Sequence, residues 1–114
     1  MLPHQVPTVR ADDVPSGAVL LDVREPDEWA AGHIPGAMHV PMNQVPSRLG
    51  QTPDVLPTDG PIVVVCKVGS RSAQVTAWLR QHGYNAVNLD GGMLAWAGSG
   101  RPMEADGGAP PHVA

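Results

Sequence analysis

The sequence predicts one α/β domain, a sandwich built on a mostly parallel β-sheet. Short apolar runs alternate along the chain with segments that carry helix signals, in the repeated order strand then helix. The 13 glycines and 13 prolines stand mostly as single residues between these runs, which is typical of a fold made of many short elements. The length of 114 residues fits a single small domain.

The first part of the chain predicts two strands with a helix between them. Residues 17–23 form an apolar run that is typical of a buried strand. A helix is predicted over residues 24–31, because Pro26 suits its first turn, acidic residues follow, and Gly32 can end it. After a turn, residues 37–40 predict a second, shorter strand.

The centre of the chain carries the strongest strand signal. A short helix is predicted over residues 43–49, interrupted by Pro46, and residues 51–61 predict a connection rich in proline and glycine. Ile62–Val65 is a continuous run of β-branched residues, which favours a strand buried on both faces. A polar loop then leads into a helix predicted over residues 70–82.

The last third of the chain predicts one more strand and one more helix. The strand covers residues 86–89, and a turn at 90–92 separates it from a short helix over 93–97. We assign residues 1–104 to a single domain. Because residues 105–114 are rich in glycine and proline, we expect them to form a disordered tail.

The composition excludes several classes of protein. The net charge of −4 gives no indication of binding to nucleic acid or to a membrane surface. Cys66 is the single cysteine, so an internal disulfide, a CxxC redox pair and a multi-cysteine zinc site are excluded. The N-terminal segment has no apolar signal-peptide core, and no apolar run is long enough to span a membrane. We therefore expect a cytoplasmic protein that uses no metal and no other cofactor.

Polar residues follow three of the predicted strands. Asp22 and Arg24 stand at the end of the first, Cys66 follows the central strand, and Asp90 follows the last. Ligands of open parallel sheets bind beyond the carboxyl ends of the strands. We therefore expect these residues to converge on one edge of the sheet.

The loop that follows the central strand has the composition of a site for a nucleophilic sulfur. Cys66 ends a buried strand and precedes a helix, so backbone N–H groups and the helix dipole favour its thiolate. Gly69 permits a turn that other residues resist. Lys67, the only lysine, and Arg71 bring two cations into the same loop. A buried structural cysteine would not need this combination, which suits an anionic substrate.

Three segments resemble a known family. The motifs LLDVREPDEWAAGHIPGA (20–37), VVVCKVGSRS (63–72) and GYNAVNLDGGMLAW (83–96) occur in the order found in single-domain rhodaneses, which are sulfurtransferases. The resemblance covers about residues 5–103. It implies a rhodanese-like three-layer sandwich, with a five-stranded, mostly parallel sheet and helices on both faces.

The resemblance also implies a reaction and its residues. Cys66 matches the family's sulfur-carrying cysteine, which forms a persulfide with sulfur from thiosulfate or another persulfide. The backbone that follows matches the sulfur cradle, with Lys67 placed to attract the sulfonate of thiosulfate. Asp22 and Arg24 match the family's first motif, and we hypothesise that Asp22 pairs with Arg71 to hold the loop. The cradle residues are Lys67, Val68, Gly69, Ser70, Arg71 and Ser72.

The expected partners follow from the same chemistry. The donor would be thiosulfate or a persulfide, and the acceptor would be cyanide or a thiol. Because the chain has no second cysteine, the thiol must come from another molecule, such as glutathione, thioredoxin or a protein thiol. Two alternatives remain: a dedicated persulfide carrier or regulatory module with weak thiosulfate activity, and a phosphatase or arsenate reductase. The second alternative uses a C-x5-R loop, whereas four residues separate Cys66 from Arg71 here.

Overall fold

One sheet of five parallel strands organises the protein in the computed structural model, which describes residues 6–114. The order across the sheet is β1-β5-β4-β2-β3. The strands are β1 (Thr8–Val9), β2 (Val19–Asp22), β3 (Met38–His39), β4 (Ile62–Val65) and β5 (Ala86–Leu89). The predicted α/β class and its parallel sheet are confirmed. The edge strand β1 has no counterpart among the predicted elements, because two residues are too few to show an alternating pattern.

Three α-helices connect strands, a fourth follows the last strand, and short 3₁₀ turns complete the chain. The helices are α1 (Pro26–Ala31), α2 (Val45–Gln51), α3 (Ser70–Gln81) and α4 (Gly92–Gly98). The 3₁₀ turns cover Ala11–Asp13, Met42–Gln44, Pro53–Val55 and Asp106–Gly108. Pro46 does not interrupt α2 as expected, because it lies in the first turn, where a backbone N–H has no partner within the helix.

The strand β4 is the centre of the core. Its side chains point alternately to the two faces of the sheet, and all four residues are at most 1% exposed. Ile62 and Val64 pack in one apolar cluster with Leu79 of α3, while Val63 and Val65 pack in a second cluster with Trp96 of α4. Both faces are therefore covered, which produces the three layers.

The register of the strands brings their carboxyl ends together. Asp22 is paired with Val65 in the ladder between β2 and β4, and Val64 is paired with Asn88 in the ladder between β4 and β5. Cys66 follows Val65 directly, so it emerges between the ends of β2 and β5. The loop from residue 66 to the start of α3 therefore lies at this edge of the sheet.

The segment 105–114 is mostly exposed, but it follows a defined path beside α1. The amide of His112 donates to the Ala31 carbonyl at 3.0 Å, and Val113 packs against the apolar cluster around Trp96. This differs from the expected disordered tail. The last carbonyls of a helix need donors from outside it, and the backbone of His112 supplies one to α1. Within residues 6–114, no helix has both the length and the apolar character that crossing a membrane requires.

Candidate active site in the loop after β4

The sulfur atom of Cys66 lies in a small cradle of hydrogen-bond donors. The backbone N–H of Gly69 donates to Cys66 Sγ at 3.1 Å, and the hydroxyl of Ser72 donates to it at 3.2 Å. Ser72 belongs to the first turn of α3 and is completely buried. Cys66 is also completely buried. The loop therefore closes around one sulfur atom.

The cradle changes the acidity of the thiol. Burial on its own raises the pKa of Cys66, because removal from water disfavours the charged form. The Ser72 hydroxyl and the amides of Ser72, Gly69 and Val68 act in the opposite direction, because their O–H and N–H dipoles favour the charged sulfur. The hydrogen bonds prevail and the pKa of Cys66 is lowered. A lowered pKa increases the fraction of thiolate, the nucleophilic form.

Two glycines allow this geometry. Gly69 precedes α3 with φ +104°, a left-handed conformation that residues with a Cβ rarely adopt. Gly92 lies at the start of α4, and a Cβ built on it would collide with the backbone of Cys66 and Lys67. Because Gly92 has no side chain, α4 approaches closely enough for Met93 N–H to donate to the Cys66 carbonyl at 2.8 Å. The turn predicted at 90–92 thus lies against the loop.

Arg71 is held by a partner that the sequence did not indicate. Its two terminal nitrogens donate to the two carboxylate oxygens of Glu28, at 2.7 and 2.9 Å. Contact with Arg71 lowers the pKa of Glu28 to about 2, and Glu28 in turn raises the pKa of Arg71. The hypothesis that Asp22 pairs with Arg71 is therefore wrong. Glu28 is reached because α1 carries it to the loop, whereas Asp22 is occupied by a nearer cation.

That nearer cation is Arg24. Its Nε lies 3.0 and 3.1 Å from the Asp22 carboxylate oxygens and its Nη2 lies 2.8 Å from one of them, and both residues are buried. The same guanidinium donates to the carbonyls of Glu28 and Gly32, at 3.2 and 2.7 Å. Asp22 and Arg24 therefore stabilise the end of α1. Their link to the loop is indirect and passes through the Glu28–Arg71 pair.

Lys67 offers the remaining positive charge of the loop. Its side chain is half-buried, and no carboxylate among residues 6–114 lies within ion-pair distance of its ammonium. The neighbouring Val68 and Ser70 are exposed. The outer surface of the loop therefore faces solvent, while the sulfur beneath it does not.

Asn88 also contacts the loop, and it was missing from the predicted site. Its side-chain amide donates to the Gly69 carbonyl at 3.1 Å. It is the only polar residue of β5 and is 6% exposed. A polar residue inside an apolar strand was the available signal, since buried polar groups require partners.

Comparisons with known proteins agree with the resemblance in the motifs. A family profile described as "Rhodanese-like domain" matches residues 9–99. The chain is 43% identical over 91 residues to a sulfurtransferase of Allochromatium vinosum, covering 79% of this chain and 81% of that protein. It is 35% identical over 108 residues to a thiosulfate sulfurtransferase of Pseudomonas entomophila, and the match covers 94% of this chain and 92% of that protein. The structure of a rhodanese-related protein of Thermoplasma volcanium superimposes with a TM-score of 0.74 at 31% identity. The match covers 85% of this chain and 96% of that chain.

Proposed function

The chain belongs to the rhodanese-like family of sulfurtransferases, and from this premise we propose that Cys66 carries sulfur as a persulfide between thiosulfate and a thiol. The observation that carries the proposal is the cradle: one sulfur atom accepts hydrogen bonds from the Gly69 N–H and the Ser72 hydroxyl. Donors aimed at a sulfur anion stabilise the attacking thiolate. They also suit the anionic persulfide that replaces it.

The reaction has two sulfur-transfer steps. The Cys66 thiolate attacks the outer sulfur of thiosulfate, a new S–S bond forms, and the S–S bond of thiosulfate breaks. Sulfite leaves with the electron pair of that bond, and Cys66 holds one additional sulfur as a persulfide. An acceptor thiolate, or cyanide, then attacks the outer sulfur and forms a bond to it, and the Cys66 thiolate leaves. The cycle requires neither a metal nor an external oxidant.

The charges of the loop support an anionic donor. Glu28 engages both terminal nitrogens of Arg71, which neutralises that cation and leaves Lys67 to attract the sulfonate. Lys67 directly follows Cys66, so its charge belongs to the loop that holds the reacting sulfur. A negative donor is thereby drawn towards an otherwise acidic chain of net charge −4.

The acceptor thiol comes from another molecule. Because Cys66 is the only cysteine, the acceptor thiol is supplied by glutathione, thioredoxin or another protein. A lone free thiol suits a reducing compartment, and we propose the cytoplasm.

The dedicated persulfide carrier remains the alternative, since it needs the same residues and differs only in its donor. Phosphatase chemistry is disfavoured, because its arginine must bind the oxyanion of the substrate, whereas Arg71 is engaged by Glu28. We expect no hydrolysis of p-nitrophenyl phosphate.

Intact-protein mass spectrometry tests the proposal. The protein is incubated with thiosulfate and desalted, beside a Cys66→Ser variant. We expect a gain of one sulfur atom in the native chain only, removed by cyanide or dithiothreitol. If the native chain gains sulfur from a cysteine-desulfurase persulfide but none from thiosulfate, the alternative function as a dedicated persulfide carrier is correct. If it gains sulfur from neither donor, the proposed function is wrong.

A further inference from the structure

Asn88 connects the central part of the sheet to the loop that holds the sulfur. It lies in β5, on the same face of the sheet as Ala86, which packs with α3. Its amide nitrogen reaches the carbonyl of Gly69, 19 residues earlier in the chain. The N–H of that same glycine donates to Cys66 Sγ. Asn88 is therefore hydrogen-bonded to the same residue whose N–H donates to the sulfur.

We propose that Asn88 is a positioning residue for sulfur transfer, which aims the N–H of Gly69 at Cys66 Sγ by holding the carbonyl of Gly69. The proposal rests on the sulfur-carrying role of Cys66. Asn88 does not touch the sulfur, and it acts through the conformation of Gly69 alone.

The conformation of Gly69 gives the reason that such a restraint is needed. With φ +104° and ψ −6°, Gly69 occupies a region that only glycine enters easily, and no Cβ limits its rotation. Rotation about these angles changes the direction of the N–H relative to the carbonyl. The carbonyl is held by two donors, the Ala73 N–H at 3.2 Å and Asn88 at 3.1 Å. The first belongs to the start of α3, whereas the second ties the loop to the rigid sheet.

A second observation supports the assignment. The side-chain oxygen of Asn88 is buried and has no hydrogen-bond partner within residues 6–114. Rotating the amide by half a turn would place this oxygen against the carbonyl of Gly69, where two acceptors repel. The orientation is therefore set by Gly69, and the unpaired oxygen destabilises the fold. An apolar side chain would avoid that cost, so the contribution of the amide lies in its bond to the loop.

Because the unpaired oxygen of Asn88 destabilises the fold, an experiment can distinguish a positioning role of this residue from a structural one. Replacing Asn88 by an apolar residue removes the unpaired oxygen together with the donor. Stability should then hold or increase, while the reactivity of Cys66 falls. A residue that merely filled space would show both quantities falling together.

The test uses the pH dependence of Cys66 alkylation by iodoacetamide, followed by intact mass, and thermal unfolding on the same samples. For Asn88→Leu we expect an unfolding midpoint at or above that of the native chain. We also expect the apparent pKa of Cys66 to rise by roughly one unit. At pH values below the pKa, this rise lowers the alkylation rate about tenfold. The matched control is Asn85→Leu, the same change at an exposed position before β5, with no change in the alkylation profile.

If leucine does not fit at position 88, Asn88→Val provides the same test, because valine is smaller and suits a buried strand. A folded variant with the native alkylation profile overturns the proposal, and so does the failure of both variants to fold. Because alkylation needs no thiosulfate, this result is independent of the sulfur-loading experiment. A native chain that accepts no sulfur from either donor overturns the proposed function instead.

Discussion

Glu28 of α1 and Arg71 of α3 form a two-point ion pair, with oxygen–nitrogen distances of 2.7 and 2.9 Å between residues 43 positions apart. The pair is the side-chain link between the first motif of the chain and the loop that carries Cys66. Charged bidentate pairs constrain geometry as well as contributing energy. The orientation of α1 and the shape of the loop are therefore coupled.

Replacing Glu28 by Gln should loosen this coupling. The folded-state pKa of Glu28 is about 2, whereas an unperturbed glutamate titrates near ~4.3. A lowered pKa stabilises the fold above the unfolded pKa, and that stabilisation is lost as the pH falls from about 4.3 towards about 2. We expect Glu28→Gln to lose about 1 kcal/mol at pH 7 and to show a weaker dependence of stability on pH in this acid range.

Chemical denaturation at several pH values measures both effects. Asp27→Asn is the matched control, because this neighbouring carboxylate of α1 is exposed. Equal losses for the two variants would show that the general charge of α1 matters and the pair with Arg71 does not.

Removing the Ser72 hydroxyl should make Cys66 less acidic. Ser72 is buried and donates to Sγ at 3.2 Å, and hydrogen bonds to charged groups contribute about 1.5–3 kcal/mol. We expect Ser72→Ala to raise the pKa of Cys66 by about one unit or more. Iodoacetamide alkylation across pH 6–10, a range chosen to span the reference thiol pKa of about 8.5, measures the shift.

Ser70→Ala provides the control for this experiment, since Ser70 is in the same turn but exposed. The stability of the native chain should also rise with pH between the lowered folded pKa of Cys66 and the unfolded value of about 8.5. Ser72→Ala should flatten that rise. An unchanged alkylation profile in Ser72→Ala would rule out the hydroxyl as a thiolate donor.

Lys67 should affect the use of a donor that carries a sulfonate more than the use of a donor that lacks one. We expect Lys67→Ala to slow sulfur loading from thiosulfate about tenfold, a loss of about 1.4 kcal/mol in transition-state stabilisation. Loading from an organic persulfide should change less, because this donor carries no sulfonate. Single-turnover loading followed by mass spectrometry compares the donors, with Lys67→Arg as the charge-preserving control. Equal losses for both donors would mean that Lys67 does not act on the sulfonate.

The close approach of α4 to the loop can be tested at Gly92. A Cβ there would collide with the backbone of Cys66 and Lys67, and φ is +56°. We expect Gly92→Ala to cost about 3 kcal/mol or more, from strain and overpacking combined. Gly36 has φ +81° but open space around it, so Gly36→Ala should cost only the backbone strain of about 1–2 kcal/mol. Thermal unfolding compares the two, and equal losses would show that the collision is relieved at no cost.

Local patterns were sufficient to predict most elements. The β-branched run Ile62–Val65 and the helix at Ser70–Gln81 are signals contained within a few neighbouring residues, and both elements occur as expected. The strand Thr8–Val9 was missed because its place is set by pairing with Asn88 and Leu89 of β5. The path of residues 105–114 beside α1 depends likewise on a distant partner, the carbonyl of Ala31.

The sequence by itself determined the α/β class, the sulfurtransferase family and the loop that brings Cys66 to the start of a helix, since each rests on patterns within short segments of the chain. Only the tertiary structure decided which side chains meet across that loop. It paired Arg71 with Glu28 and Asp22 with Arg24, and it brought Asn88 to Gly69. The physical reason is that these contacts depend on the register of the strands and on the place where each helix packs. Charge alone offers Arg71 several carboxylates, and the position of α1 selects one.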